Sequence, residues 1–317
     1  MKVSVMIITY NHQRFISQAL ESVLAQKVDF DYEIVVGEDC STDGTRDILM
    51  DFHRHYPERI FPQLRNRNLG AMRNLRETLA ACRGQYVALL EGDDYWTNDQ
   101  KLQRQVGFLD KHPGCALCCH RVRFLDETTA ETPPKAEVFP SLRAGSYSIE
   151  DLLRGNFVMT CSTVLRRGFI GPIPGWFSKI KLGDWPLFAL VARHGSIELM
   201  DEIMADYRVH GGGIWTAMPE ASRVNACTQM LKALDRHFRF QYADIIRETK
   251  ARPYLNWAMA AQASGRRTDT ARHLYSCLRN GGWQFLGSRR TMIALAAYAL
   301  VGPHYKIFSR SKSANPS

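Results

Sequence analysis

No apolar stretch in the 317 residues approaches the roughly 20 needed to cross a bilayer; the longest, Met292 to Val301, is too short. The opening Met1-Lys2-Val3-Ser4-Val5 runs into a strand pattern without a signal peptide's apolar core and cleavage site. The expected location is therefore cytoplasmic, with the eight Cys reduced. Cys115-Ala116-Leu117-Cys118-Cys119-His120 contains C-x-x-C, but no second close Cys or His pair completes a zinc site, and small apolar Cys suits a buried strand. It reads as core. With 22 Gly, 13 Pro and 45% hydrophobic residues, collagen-like, disordered and disulfide-scaffold classes are excluded.

Acidic residues are scarce in one region only. Residues 222–317 hold 16 basic and 4 acidic side chains, a net of +12, whereas residues 1–221 hold 25 and 28, a net of −3. The chain's total of +9 thus belongs to its last third, and a basic surface of that kind meets an anion: nucleic acid, phosphorylated substrate or membrane.

What is present in the first two thirds is alternation. Val3 to Ile8, Tyr32 to Val36, Arg59 to Leu64 and Tyr86 to Leu90 read as strands. Between them, Ile16 to Leu24, Thr45 to His53 and Ala71 to Cys82 read as amphipathic helices, which implies right-handed βαβ units and a parallel sheet. Further strands are expected at Cys115 to Phe124, Thr160 to Leu165 and Ile197 to Val209, a helix start at Ser148 to Asp151, and a helix at Trp185 to Arg193. Beyond Ser222 only helices are expected, including a hairpin of Leu255 to Ala263 and Thr270 to Leu278 around Gly265. The boundary is placed near residue 220, separating a 1–220 domain from a 221–317 basic helical region.

Polar clusters stand at the carboxyl ends of the strands, the edge where open α/β sheets bind ligands: Thr9-Tyr10-Asn11, Glu38-Asp39 and Glu91-Gly92-Asp93-Asp94. Packed carboxylates repel one another unless a cation sits between them, so the last cluster suits Mg²⁺ or Mn²⁺ shared with substrate phosphates, or else is a turn of solvated acids. Asp39 can accept from a base N–H or a ribose hydroxyl, while Ser41 to Gly44 reads as a helix cap. Asp184, before Trp185-Pro186, is an N-cap or a general base. Tyr207-Arg208-Val209-His210 precedes three glycines that allow close approach of a ligand, and His210 is either structural or a ligand.

Taken in order, Ser4 to Asn11, Glu33 to Thr45, Asn68-Leu69-Gly70 with Arg73-Asn74, and Leu90 to Asp94 resemble the family 2 glycosyltransferases, nucleotide-sugar enzymes of the GT-A fold. The resemblance covers about the first 215 residues. It implies an inverting, metal-dependent transfer of one sugar from a nucleoside diphosphate. Asp39 is similar to the acid that reads the base, with Thr9, Tyr10, Asn11, Glu38 and Arg73 beside the base or ribose. Glu91-Gly92-Asp93 is similar to the D-x-D element, its first acid facing the ribose and Asp93 binding Mn²⁺ or Mg²⁺. Asp94 resembles an adjacent acid, Asp184 the catalytic base, and His210, after the donor-binding Arg208, a late ligand of the metal or diphosphate. Three departures stand out: Gly37-Glu38-Asp39 where many members have Val-Asp-Asp, Glu91 for the first Asp, and Gly183 for the first acid of a pair before Trp185.

Other readings remain. A nucleotidyltransferase would need a basic grip on a triphosphate, and Asn11-His12-Gln13-Arg14 follows the first strand in place of a Gly-rich loop with Lys or Arg. A processive synthase would need Q-x-x-R-W and spanning helices. A catalytically inactive nucleic-acid-binding protein on the same fold rests on the basic tail alone, and no nucleic-acid partner is expected. Gly282 to Leu286, Met292 to Val301, Arg289, Arg290, Lys306, Arg310 and Lys312 suit peripheral contact with an anionic membrane face, or else form a helical subdomain with a solvated basic face. A lipid-linked saccharide acceptor and surface-polysaccharide assembly go with the membrane reading.

Overall fold

The computed structural model describes residues 1–127, 135–137, 141–213, 215, 217–282 and 289–301. The chain divides into two compact units: Met1–Leu152 with Asn156–Ala226, and Leu153–Gly155 with the chain from Cys227 onward.

The first unit is built on a mixed sheet. Strands β1 (Val3–Thr9), β2 (Tyr32–Glu38), β3 (Ile60–Leu64) and β4 (Tyr86–Glu91) alternate with helices α1 (Ile16–Leu24), α2 (Thr45–His55) and α3 (Ala71–Ala81). They pair in parallel in the order β3-β2-β1-β4. The central strands β1 and β2 are buried along almost their whole length, which is why they read as continuous apolar runs. Ile16, Ala19, Leu20 and Val23 form the buried stripe of α1 at helical spacing.

After β4 the chain makes a two-residue strand β5 (Tyr95–Trp96), then α4 (Lys101–Lys111) and the long β6 (Cys115–Asp126). Next come β7 (Lys135–Glu137), β8 (Gly145–Tyr147), α5 (Ile149–Arg154), β9 (Val164–Arg166), α6 (Asp184–Ala192) and β10 (Ser196–Val209). The expected strand over Thr160 to Leu165 is shorter than anticipated: Thr160–Ser162 is a 3-10 turn, and only Val164–Arg166 joins the sheet, antiparallel to β4 and β6. β10 runs parallel to β6 with register shifts around Ile203, and it receives β5 antiparallel at Ala205 and Asp206. The Ser148 helix start is a reciprocal cap, with Asp151 N–H donating to Ser148 Oγ and Ser148 N–H to Asp151 Oδ2. Cys115, Cys118 and Cys119 are buried free thiols, and burial pushes Cys118 up to about 12.

Helix α7 (Glu220–His237) leads into the second unit, where α8 (Ala243–Ala263), α9 (Arg267–Arg279) and α10 (Arg289–Val301) follow. The hairpin around Gly265 is present, but its first helix begins well before Leu255 and passes through Pro253. Ala251, Leu255, Ala258, Leu274, Cys277, Met292 and Leu295 form this unit's core. No helix among the described residues is long and apolar enough to cross a membrane. Trp283 to Leu286, Lys306, Arg310 and Lys312, on which the membrane-contact reading leans, lie outside the described residues.

Candidate active site

Parallel pairing brings the carboxyl ends of β1, β2 and β4 to one edge, and the loops there are laced together. Asn11 takes a left-handed φ of 56°, a conformation its short polar side chain tolerates. Its amide N–H donates to Ser41 Oγ (3.0 Å) and its Oδ1 accepts from Thr42 N–H (2.8 Å). His12 N–H donates to Thr45 Oγ1 (2.8 Å), and Gln13 Oε1 accepts from Gly44 N–H (2.9 Å). Tyr10 beside them is exposed.

Asp39 and Glu38 are both buried. Asp39 accepts from the amides of Leu69 (2.8 Å) and Gly70 (2.9 Å), one on each carboxylate oxygen, and so ties the β3–α3 loop to the sheet edge. Burial raises its pKa in spite of those two bonds. Glu38 pairs with Arg46 and accepts from Ser41 N–H (2.6 Å). Arg73, in the first turn of α3, is half-exposed and pairs with Glu77 (3.1 Å).

Gly37 is explained by what packs on it. A Cβ there would lie 2.0 Å from Thr78 Oγ1 and 2.7 Å from Asn74 Oδ1, and Asn74 Nδ2 donates to the Gly37 carbonyl (2.8 Å). The valine common at this position elsewhere has no room.

In the β4–β5 turn the three acids have separate surroundings. Asp93 Oδ2 lies 3.0 Å from His210 Nε2 and 3.6 Å from His12 Nε2. Burial acts to raise the Asp93 pKa, but the His210 hydrogen bond and the charges of the two imidazoles outweigh it and hold the group below the usual carboxylate range. Asp94 Oδ1 accepts from the Arg208 amide (2.8 Å); burial first, and then the neighbouring Asp93, push its pKa well up. Glu91 hydrogen-bonds Thr160, and burial with the charges of Asp94, Asp93 and Asp184 drives its pKa well up too.

The Arg208 guanidinium is enclosed between the Phe15 and Tyr95 rings. It donates to Glu127 Oε1 (2.9 Å), the Asp93 carbonyl (2.6 Å) and Gln18 Oε1. It therefore braces the acidic turn.

Asp184 opens α6, with Trp185 anchored by its Nε1–H donating to the Leu152 carbonyl (3.0 Å). Its Oδ2 accepts from Asn156 Nδ2 (3.2 Å), and burial raises its pKa. Gly183 fits because α3 closes on it: a Cβ would meet Met72 Sδ at 2.6 Å and Leu75 Cδ1 at 3.3 Å. An acid there would displace Met72.

Glu91, Asp93, Asp94, Asp184, Arg208 and His210 thus meet around one acidic turn. Thr9, Asn11, Glu38 and Asp39 form the adjoining part of the edge, while the Arg73 side chain lies along α3 with Glu77. His12, Asn156 and Thr160 belong to the site without having been singled out from the sequence. His12 could have been found by its place three residues past the end of β1. Among the buried polar atoms of this region, Thr9 Oγ1, His12 Nδ1 and Glu91 Oε2 have no hydrogen-bond partner among the described residues, as expected of atoms that face a ligand.

Comparison with known proteins bears on the family and the fold. Residues 4–170 match the family model described as Glycosyl transferase family 2. The protein Rv1520 of Mycobacterium tuberculosis is 40% identical over 214 residues, 67% of this chain and 60% of that protein, so the chain matches about three fifths of this relative's length. Among solved structures, residues 1–349 of Staphylococcus aureus TarS with UDP-GlcNAc superpose with a TM-score of 0.61 at 16% identity, covering 97% of this chain and 92% of that one. Pyrobaculum calidifontis mannosyltransferase PcManGT, solved with GDP-Man and Mn²⁺, gives 0.55 at 16% identity, covering 95% and 88%. At such identities these two carry the GT-A fold alone.

Proposed function

Since the chain belongs to glycosyl transferase family 2, we propose that it moves a single sugar, with inversion, from a nucleoside diphosphate sugar to an acceptor hydroxyl in cell-surface polysaccharide assembly. The observation that carries this reading is the meeting of Asp93, Glu91 and Asp184 at the carboxyl edge of the parallel strands, with His210 hydrogen-bonded to Asp93. Three groups of different character are needed there: a nucleotide cradle, a site for a cation, and a base facing the acceptor hydroxyl.

Asp93 and His210 are the residues that would hold Mn²⁺ or Mg²⁺. Among the described residues no three His, Cys, Asp or Glu side chains form a metal cage. Two protein ligands with the rest from diphosphate and water is the usual Mg²⁺ arrangement. When bound, the ion would neutralise charge growing on the departing diphosphate.

The chain's own groups do the remaining work. The edge formed by Thr9, Asn11, Glu38 and Asp39 receives the nucleoside, Tyr10 and Arg73 flank it, and Glu91 faces the ribose side, with Asp94 adjacent to it. Asp184 takes the proton of the acceptor hydroxyl as that oxygen attacks the anomeric carbon opposite the diphosphate; burial, by raising its pKa, makes it a better proton acceptor. Arg208 keeps the turn in place through the Asp93 carbonyl and the Asp94 carboxylate.

TarS carries the name poly(ribitol-phosphate) beta-N-acetylglucosaminyltransferase. A UDP-sugar donor and a polyanionic or lipid-linked saccharide acceptor are the corresponding proposal for this chain, and the +12 of residues 222–317 favours an anionic partner. The location that goes with it is the cytoplasm, with peripheral contact at an anionic membrane face.

The test is a thermal-shift screen of nucleotide sugars with Mn²⁺, since a ligand at about 100 times its Kd adds roughly 2.7 kcal/mol of stability. Diphosphate release is then measured for wild type and Asp184→Asn. The variant should bind the selected donor and lose turnover by about a hundredfold or more. Near-wild-type turnover would remove Asp184 as the base, and no stabilisation by any nucleotide sugar would remove the function.

A further inference from the structure

The segment linking α5 to β9 presents three neutral side chains to three carboxylates of the acidic cluster. Asn156 donates to Asp184, Thr160 hydrogen-bonds Glu91, and the Cys161 thiol lies against Asp94. Of these contacts, the first reaches the group placed as the base. Asn156 is partly buried, and its amide orientation is fixed by a second bond: Oδ1 accepts the Val158 N–H at 3.1 Å. The NH₂ must therefore point the other way, where Asp184 Oδ2 lies at 3.2 Å.

We propose that Asn156 is a positioning residue for Asp184, donating to Oδ2 so that the carboxylate stays ionised and aimed at the acceptor hydroxyl in its half-buried place at the start of α6. This rests on the reading of Asp184 as the general base. The physical need is plain from the surroundings. Burial disfavours the charged form of Asp184, and the Glu91 carboxyl at the end of β4 is near enough to feel its charge. On the α3 side, apolar Met72 and Leu75 close against the adjoining Gly183. The groups that favour the charged form of Asp184 are the amides of Asp184 and Trp185 at the start of α6 and the side chain of Asn156. Backbone amides cannot be removed by substitution, so Asn156 is the adjustable member of the set. A base held by a third group in this way follows the same logic as the orienting acid of a nucleophile-base-orienter triad.

Two variants separate this role from a purely structural one. Asn156→Asp keeps an oxygen to accept the Val158 N–H, so the loop retains its bond, but it replaces donation with like charge. Asn156→Ala removes both bonds. The readout is diphosphate release across pH 6 to 9 from UDP-GlcNAc, or from GDP-mannose if the donor screen selects it, with the Kd for UDP or GDP plus Mn²⁺ measured by calorimetry. Asn156→Ala should lower kcat at pH 6.5 by about tenfold, the worth of a hydrogen bond to a charged group, with most of the loss recovered by pH 9 and the nucleotide Kd within about twofold of wild type. Asn156→Asp should move the acid limb of the profile further in the same direction. An acid limb unmoved in both variants, or a kcat lowered equally at every pH, overturns the proposal. Asp184→Asn separates the two levels: if it is inactive while the Asn156 variants keep wild-type profiles, only the positioning role fails. If it is active, the assignment of the base fails first.

Discussion

His210 Nε2 lies 3.0 Å from Asp93 Oδ2, and a two-residue strand makes that contact possible. β5 pairs Tyr95 with Asp206 and Trp96 with Ala205, so the turn just before β5 and the chain just after β10 end side by side. The Arg208 amide then takes Asp94, and the His210 ring takes Asp93. Two residues 117 positions apart thus become neighbours through a pair of strand contacts.

Asp93→Ala should abolish the metal-dependent part of nucleotide affinity. Calorimetry with UDP or GDP should show Mn²⁺ tightening binding to the wild type by tenfold or more, about 1.4 kcal/mol at least. The variant should show equal affinity with and without the ion. His210→Gln, which keeps a polar group but removes the imidazole, should fall between the two.

Arg208→Met tests the brace rather than the chemistry. The Arg208 side chain is 4% exposed and its partner Glu127 23% exposed, so the substitution leaves a largely buried carboxylate and the Asp93 carbonyl without their donor. A loss of about 3 kcal/mol in urea unfolding is expected, in the range for breaking a buried ion pair. Arg208→Lys should recover little, because a compact ammonium does not span Glu127, the Asp93 carbonyl and Gln18, which Nε, Nη1 and Nη2 of the guanidinium reach separately.

Gly37→Val should destabilise by about 2 kcal/mol or more, as overpacking does in a closed core. The obstacle is specific: Thr78 Oγ1 and Asn74 Oδ1 occupy the place of the new Cβ. Thr78→Ala should therefore restore part of the loss in the double variant, and a strictly additive pair of unfolding free energies would refute this packing account.

The first half of the fold could be read from the sequence because its information is local. β1, β2 and β4 are buried on both faces and appear as unbroken apolar runs, and each ends in a polar cluster that the parallel pairing brings to one edge. Helix α4 was not legible, and the reason is physical. Its buried face is Lys101, Leu102, Gln105, Val106 and Leu109, so two polar residues interrupt the apolar stripe that marks a helix. Gln105 serves there as a tie between β6 and the 3-10 turn before β9, its Nε2 donating to the carbonyls of Cys118 and Ser162. β5 is too short to leave a pattern. In the site, Asp39, Asp93 and Asp184 stood out as acids at element ends, whereas Asn156 gained a role only through a partner 28 residues away.

Lys101 makes the last prediction one of pH. It is fully buried, its Nζ donates to Gln105 Oε1 (2.7 Å) and sits 4.2 Å above the Trp96 ring, and burial pushes its pKa down from 10.5 to about 7. The unfolded chain, with its lysine near the ordinary value, binds a proton that the folded chain lacks between those two pH values. Stability therefore rises with pH across that window, by up to about 1.4 kcal/mol per unit. Below about pH 7 the lysine is protonated in both states and the full cost of a buried ammonium falls on the folded one. Lys101→Met keeps the length and apolar stem while removing the charge, so it should stabilise the protein most at pH 6. It leaves Gln105 Oε1 without its donor, a cost of about 1 to 3 kcal/mol that does not vary with pH. The difference between variant and wild type in urea unfolding should accordingly shrink by several kcal/mol from pH 6 to pH 10. A difference that stays constant over that range would mean that Lys101 keeps its charge in the core, held by the Trp96 ring and Gln105.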